Sequence, residues 1–151
     1  MNLICAIMVA HPPLIIPEIG RGQEDKIQKT IESFKHAARF LVDTQPETII
    51  VISPHSTMYA DYFHISPGTG ATGNFARFGA GGVQLEVEYD RELVCAISSA
   101  ANKAGLPAGT LGERDKSLDH GTLVPLYFIK NGWCGLVCRD FRFRNTTGSA
   151  C

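Results

Sequence analysis

The sequence predicts an α/β fold: a three-layer sandwich with a mostly parallel central sheet, truncated at its C-terminal side. Three observations lead there. Leu3–Val9 is an uninterrupted apolar run, Thr48–Ile52 is a short β-branched run, and between them apolar residues recur at helical spacing. Continuous apolar strands joined by an amphipathic helix are what a parallel sheet covered on both faces requires.

The elements follow in order. Leu3–Val9 is an expected buried strand, after which Pro12, Pro13 and Pro17 hold an extended loop and Gly20–Gly22 bends it. From Glu24 to Asp43 the residues Ile27, Ile31, Phe34, Ala38 and Leu41 fall on one face, with Lys, Gln, Glu and Arg on the other, so a helix is expected before Pro46. Thr48–Ile52 then closes a βαβ unit with two parallel strands. Phe63–Ile65 suits a brief strand. Val83–Tyr89 alternates apolar and polar residues, as a half-exposed strand near a sheet edge does. Asp90 is placed to cap a helix carrying Leu93, Ala96, Ile97, Ala100 and Ala101, which stops at Gly105.

The chain has 151 residues, of which 44% are hydrophobic and 19% charged, enough for one domain with a real core. Fourteen Lys and Arg against fifteen Asp and Glu give a net charge of −1. Without a basic excess, nucleic-acid binding and membrane-surface binding are both disfavoured. No apolar run reaches the roughly 18 residues of a membrane span. Five cysteines without a C-x-x-C pair point to a reduced, cytoplasmic setting, with Cys5 buried and inert.

Residues 1–132 read as one unit and residues 133–151 as an atypical tail. The tail has no Lys, Glu or Pro, yet it holds three of the five cysteines. Two readings stay open: a final strand around Phe141–Arg144 with a frayed end, or a non-native tail of the kind a frameshift leaves.

Three histidines stand out by placement. His11 follows the first expected strand, and His55 follows the second within Ser53-Pro54-His55. Ligands of open α/β sheets collect outside the carboxyl ends of the strands. Two imidazoles at matched strand ends, each beside a proline, therefore suit a divalent metal, the alternative being two hydrogen-bonded structural histidines. His120 lies in Leu118-Asp119-His120-Gly121-Thr122. Asp119 is placed to orient its ring and Gly121 to allow close approach. The same residues also suit the start of a helix, with Asp119 or Thr122 as cap and Pro125 in the first turn. Arg114, Asp115 and Lys116 form a solvated turn or an anion clamp, and His36 and His64 read as structural. Gly68–Gly73 fits G-x-G-x-x-G, but Gly79, Gly81 and Gly82 follow at once, so no helix opens there. It reads as a mobile loop, a lid over the crevice.

The phrases Ala10-His11-Pro12-Pro13, Ser53-Pro54-His55 and Leu118-Asp119-His120-Gly121-Thr122 together resemble the class III extradiol ring-cleavage dioxygenase (LigB-like) superfamily. Pro13–Gly20, Tyr59–Gly68 and Gly109–Leu126 look closest to the amino-terminal domain of AmmeMemoRadiSam system protein A, with relatives in the Memo family. The resemblance covers about residues 1–130. It implies a non-haem Fe(II) centre, with Zn(II) or Cu as other candidates, held by His11 and His55. It further implies His120 as the catalytic group braced by Asp119, and His120, Gly121 and Thr122 as the substrate contacts. The implied substrates are a catechol-type aromatic diol and O2, cleaved beside the diol. The alternative it implies is a non-catalytic, Memo-like metal-binding scaffold or redox protein.

The family's remaining ligand and histidine are expected later in the domain, whereas beyond Lys130 there is no His or Glu and Asp140 is the lone carboxylate side chain. The expectation is an incomplete domain, inactive by itself. Its complete form would be fused to a further C-terminal domain, and its exposed apolar surface would favour a homo-oligomer.

Overall fold

In the computed structural model the described residues are 3–112, 117–132 and 142–145, with Gly132 and the last four described by backbone alone. Pro13–Ile15 forms a 3-10 turn and Pro17–Gly20 a short helix, α1. Both start on a proline, whose fixed φ suits a first helical turn. The prolines thus wind a segment that the sequence suggested was extended. The bend after it falls at Arg21 (φ 50°) and Gly22 (φ 95°). Glu24–Ile27 is a second 3-10 turn leading into helix α2, Gln28–Asp43. Strand β1 is Thr48–Val51, β2 is Phe63–His64, β3 is Gly70–Phe75 and β4 is Ala80–Tyr89. Helix α3, Arg91–Lys103, begins as expected, with Leu93 N donating to Asp90 Oδ1 at 3.2 Å. Strand β5 is Ala108–Gly109, helix α4 is His120–Gly132 and strand β6 is Arg142–Asn145.

The α/β class holds. The main sheet has the order β1-β6-β4-β3, and β2 pairs with β5 in a separate ribbon. Pairings β1–β6, β4–β6 and β2–β5 are parallel, and only β3–β4 is antiparallel among the described strands. On β4 the residues Leu85, Val87 and Tyr89 are buried while Gln84, Glu86 and Glu88 are exposed. The alternation predicted one covered face. The edge position expected for it is wrong, since β4 lies between β6 and β3. The covered face belongs to a core shared with Ile31, Phe34 and Ala38 of α2 and with Leu123, Val124 and Phe128 of α4. Phe34 stacks on Phe128 at 4.9 Å between ring centroids, which locks the two helices together and contributes about 0.5–1.5 kcal/mol beyond burial.

Further expectations fail. Leu3–Val9 forms no strand, so the βαβ unit is not built, and β1 pairs with β6 instead. A strand needs a ladder partner for its N–H and C=O groups as well as an apolar pattern. No described segment supplies one, and Met8 is 98% exposed. The N-terminal contribution to the core comes from Ile15 and Ile16, both fully buried. Cys5 accordingly sits partly exposed and free rather than inside a strand. Gly68–Gly73, read as a mobile loop and lid, instead leads into and forms most of strand β3, because the glycines let its backbone lie flat along β4: a Cβ on Gly70 would collide with the Val87 carbonyl. Cys95 is disulfide-bonded, so the expectation of reduced thiols throughout does not hold there. Arg114–Lys116 and most of the 133–151 tail lie outside the described residues.

Candidate metal centre

The site forms where the carboxyl end of β1 meets the amino end of α4. Beyond β1 the chain continues through Ile52 to Ser53, which is buried. Ser53 Oγ accepts the His55 backbone N–H at 3.3 Å and donates to Asp119 Oδ1 at 2.5 Å. Asp119 is the cap of α4: Oδ1 also accepts Thr122 N at 3.2 Å, and Oδ2 accepts Thr122 Oγ1 at 3.0 Å. Immediately before it, Leu118 N donates to the Thr72 carbonyl at 3.0 Å, fastening the helix start to β3. His120 is thus the first residue of a helix whose origin is fixed from two strands. Pro125 falls in the second turn rather than the first, inside the helix.

Gly121 makes this junction sterically feasible. A Cβ there would stand 2.5 Å from Ser53 Oγ, 2.9 Å from Asp119 Oδ1 and 2.9 Å from His55 Cδ2. The close approach expected at this glycine is the approach of the β1 loop itself.

The three sequence-selected histidines converge. His11 and His55 place their Nε2 atoms 2.7 Å apart. That separation is a hydrogen bond, so one ring donates and the other must be unprotonated at Nε2. His55 and His120 lie 4.0 Å apart by ring centroid, and His11 and His120 5.9 Å. One ring nitrogen from each lies within 4.8 Å of the others. Metal–imidazole bonds are about 2.0–2.1 Å, so small side-chain rotations bring all three onto one ion. The residues therefore fit a divalent metal. They do so as three neutral donors: Asp119 is engaged by Ser53 and Thr122, and among the described residues no carboxylate joins the set. His120, expected to contact substrate, is thus also close enough to be a ligand.

Electrostatics keep His120 neutral. Burial lowers its pKa from the ordinary 6.5, the neighbouring His55 lowers it further, Asp119 opposes, and His11 and Arg77 each add a smaller depression. A neutral imidazole can bind a metal or accept a proton at physiological pH.

Two contributors were not singled out from the sequence. Ser53 was visible only as part of the Ser53-Pro54-His55 phrase. Phe78 packs edge-on against His120 at 5.4 Å between centroids, delivered by the 3-10 turn Ala76–Phe78 between β3 and β4. Its role became visible only once the glycine-rich stretch proved to be a hairpin. A concavity of about 1400 Å³ is lined by Glu86, Glu88, Glu92 and neighbours on β3, β4 and α3 and by none of the three histidines. Donor chemistry, not cavity size, locates the centre.

No helix among the described residues is long and apolar enough to cross a membrane. Protein CA_C1420 of Clostridium acetobutylicum is 37% identical to the chain over 136 residues, which cover 85% of this chain and 29% of that protein. The chain therefore spans under a third of that relative's length. The profile of the catalytic LigB subunit of aromatic ring-opening dioxygenase matches residues 5–147, a span that includes the three histidines, Asp119 and strand β6. The chain belongs to this LigB family.

Proposed function

We propose that the site is the metal centre of an extradiol-type dioxygenase acting on a catechol-like aromatic diol with O2, with Fe(II) as the working metal. The observation that carries this reading is the convergence of His11, His55 and His120 at the junction of β1 and α4, in a chain of the LigB family. When bound, the metal would supply a Lewis acid and open coordination positions for diol and O2. His11 and His55 hold it. His120, held neutral chiefly by burial, accepts a diol proton at a ring nitrogen. Asp119 steadies the backbone from which His120 projects, and Thr122 fixes Asp119 in turn. Gly121 leaves the space through which the two loops meet. Within the family, the AmmeMemoRadiSam-related subgroup fits the sequence phrases around these residues best. What the longer relatives do with the rest of their length falls under the same proposal.

A specific observation favours a second reading. Three neutral imidazoles without a carboxylate also suit Zn(II) or Cu, as a metal-binding scaffold or redox protein would use them. The test is anaerobic loading of the complete LigB domain with Fe(II), followed by O2 uptake on adding a catechol. Uptake with loss of the aromatic absorbance supports the dioxygenase. Stoichiometric metal with no uptake for any diol supports the scaffold and overturns the first reading.

A further inference from the structure

The main sheet has two outer strands, β1 and β3, and their edges differ. The β3 edge is broken and covered. Its sequence Gly70-Ala71-Thr72-Gly73-Asn74-Phe75 carries two glycines, its register shifts between Asn74 and Phe75, and the Thr72 carbonyl accepts Leu118 N at 3.0 Å. Bulges and covering segments of this kind keep an edge from templating another strand. The β1 edge has neither. Thr48-Ile49-Ile50-Val51-Ile52, the strand and the residue after it, is β-branched throughout and contains no charge, proline or glycine. On one side β1 pairs with β6 in unbroken register, from Thr48 with Arg142 to Val51 with Asn145. On its other side no described strand pairs with it, and Leu3–Val9 forms no strand that could. Ile49 faces the core and is buried, whereas Ile50, on the opposite face, is 43% exposed and Ile52 is 82% exposed.

We propose that the β1 edge is a self-association surface: two copies of the chain pair their β1 strands antiparallel across a two-fold axis, extending the sheet from one copy into the other. A second copy fits because the edge is complementary to itself. With the axis at Ile50, each Ile50 faces its counterpart, Ile49 faces Val51 of the second copy, and Thr48 faces Ile52. Every opposed pair is then β-branched and uncharged, with no like charges set against each other. An axis perpendicular to the sheet keeps the face covered by α2 and α4 on one side in both copies, so Ile49 stays in the core while Ile50 gains an apolar neighbour. A two-fold contact closes on itself and stops at a dimer. A strand this short forms few ladder bonds, which places the contact among small, transient interfaces. It does not depend on which metal or diol the centre takes.

The experiment is sedimentation equilibrium of the chain over a concentration series, with Ile50→Lys, Ile50→Glu and Met8→Lys variants and thermal unfolding as the check on folding. The chain should show a monomer–dimer equilibrium. Each charged variant at position 50 should weaken it about ten-fold, since a like-charged pair replaces an apolar one. An equimolar mixture of the Lys and Glu variants should dimerise again, because the two-fold sets position 50 against itself. Met8→Lys should leave the dimer as it was. Hydrogen exchange on the unsubstituted chain is the readout that needs no variant: protection of the amides of residues 48–52 should rise with protein concentration. A chain that is monomeric at every concentration overturns the inference, as does a dimer that survives both charged variants or forms without added protection at 48–52. A mixture that stays monomeric overturns the two-fold register. Loss of the dimer in Met8→Lys alone gives the contact to Leu3–Val9 and overturns the assignment to β1.

Discussion

Ser53 Oγ and Asp119 Oδ1 share a 2.5 Å hydrogen bond that ties the loop after β1 to the first turn of α4. It links the backbones that carry His55 and His120, since Ser53 also accepts the His55 amide and Asp119 caps the helix that His120 begins. The metal centre is assembled through this bond as much as through the imidazoles.

Ser53→Ala should therefore damage the site without touching a ligand. Asp119 loses a buried partner, and removing one such bond costs about 1–2 kcal/mol. Because the bond orients ligands from outside the coordination sphere, divalent-metal affinity should fall about 10-fold or more. Thermal unfolding and a competitive metal-indicator titration measure the two effects separately. Unchanged metal affinity in a destabilised variant would reduce Ser53 to a structural residue.

Gly121→Ala is a sharper version of the same test. On an isolated helix the substitution is worth up to about 1 kcal/mol in favour of Ala. Here the new methyl meets Ser53 Oγ, Asp119 Oδ1 and His55 Cδ2 at 2.9 Å or less. The overpacking penalty, about 1–3 kcal/mol, outweighs the propensity gain. The melting temperature should drop and metal binding should weaken. A stabilised variant with normal metal binding would mean that the loop after β1 moves aside freely.

The histidines separate by role. Replacing His11 and His55 together by Ala should abolish specific divalent-metal binding while leaving the core packing of α2 and α4 intact, because both side chains lie outside that core. His120→Gln should keep metal and lose proton acceptance. The 4.8 Å span of the three ring nitrogens allows the other outcome as well. If His120→Gln loses metal to the same degree as His11→Ala, His120 is a third ligand. Metal stoichiometry of the three variants after dialysis decides between them.

What the sequence made legible follows physical lines. Helices α2 and α3 and the half-covered face of β4 each bury a periodic stripe, and a stripe is local information. The site histidines were legible because each sits directly after a strand-like run or at a helix cap, positions that topology brings together. The pairing partner of Leu3–Val9 was not legible, because a ladder is a relation between distant segments and an apolar run does not name its neighbour. Gly68–Gly73 misled for a related reason. Glycines signal flexibility in a free chain, but against β4 they permit a close backbone approach that bulkier residues would block. Phe78 was hidden by the same error, since a loop's residues have no predicted address while a hairpin's turn does.

The remaining prediction concerns His64 of β2, which is 7% exposed and flanked by Tyr59 and Tyr62 at 5.0 and 6.4 Å between ring centroids. Among the described residues neither ring nitrogen has a hydrogen-bond partner. Burial lowers its pKa from 6.5, so the folded chain holds it neutral. The sign follows from proton linkage. As pH falls below 6.5 the unfolded chain takes up a proton that folded His64 refuses, so stability falls until pH passes the lower folded value; above 6.5 the contribution is constant. The loss should concentrate in the β2–β5 ribbon, where Phe63 N donates to the Pro107 carbonyl at 2.8 Å and Ile65 N to the Gly109 carbonyl at 3.1 Å. Exchange protection of these two amides in the metal-free chain should decrease between about pH 7.5 and 5.5, the range that spans an ordinary histidine. His64→Phe fills the same space without unpaired nitrogens. It should be neutral or stabilising by about 1 kcal/mol and should remove the acid sensitivity of these amides, while the share of His120 in global stability persists. Equal acid sensitivity in the Phe variant would place the titrating group elsewhere.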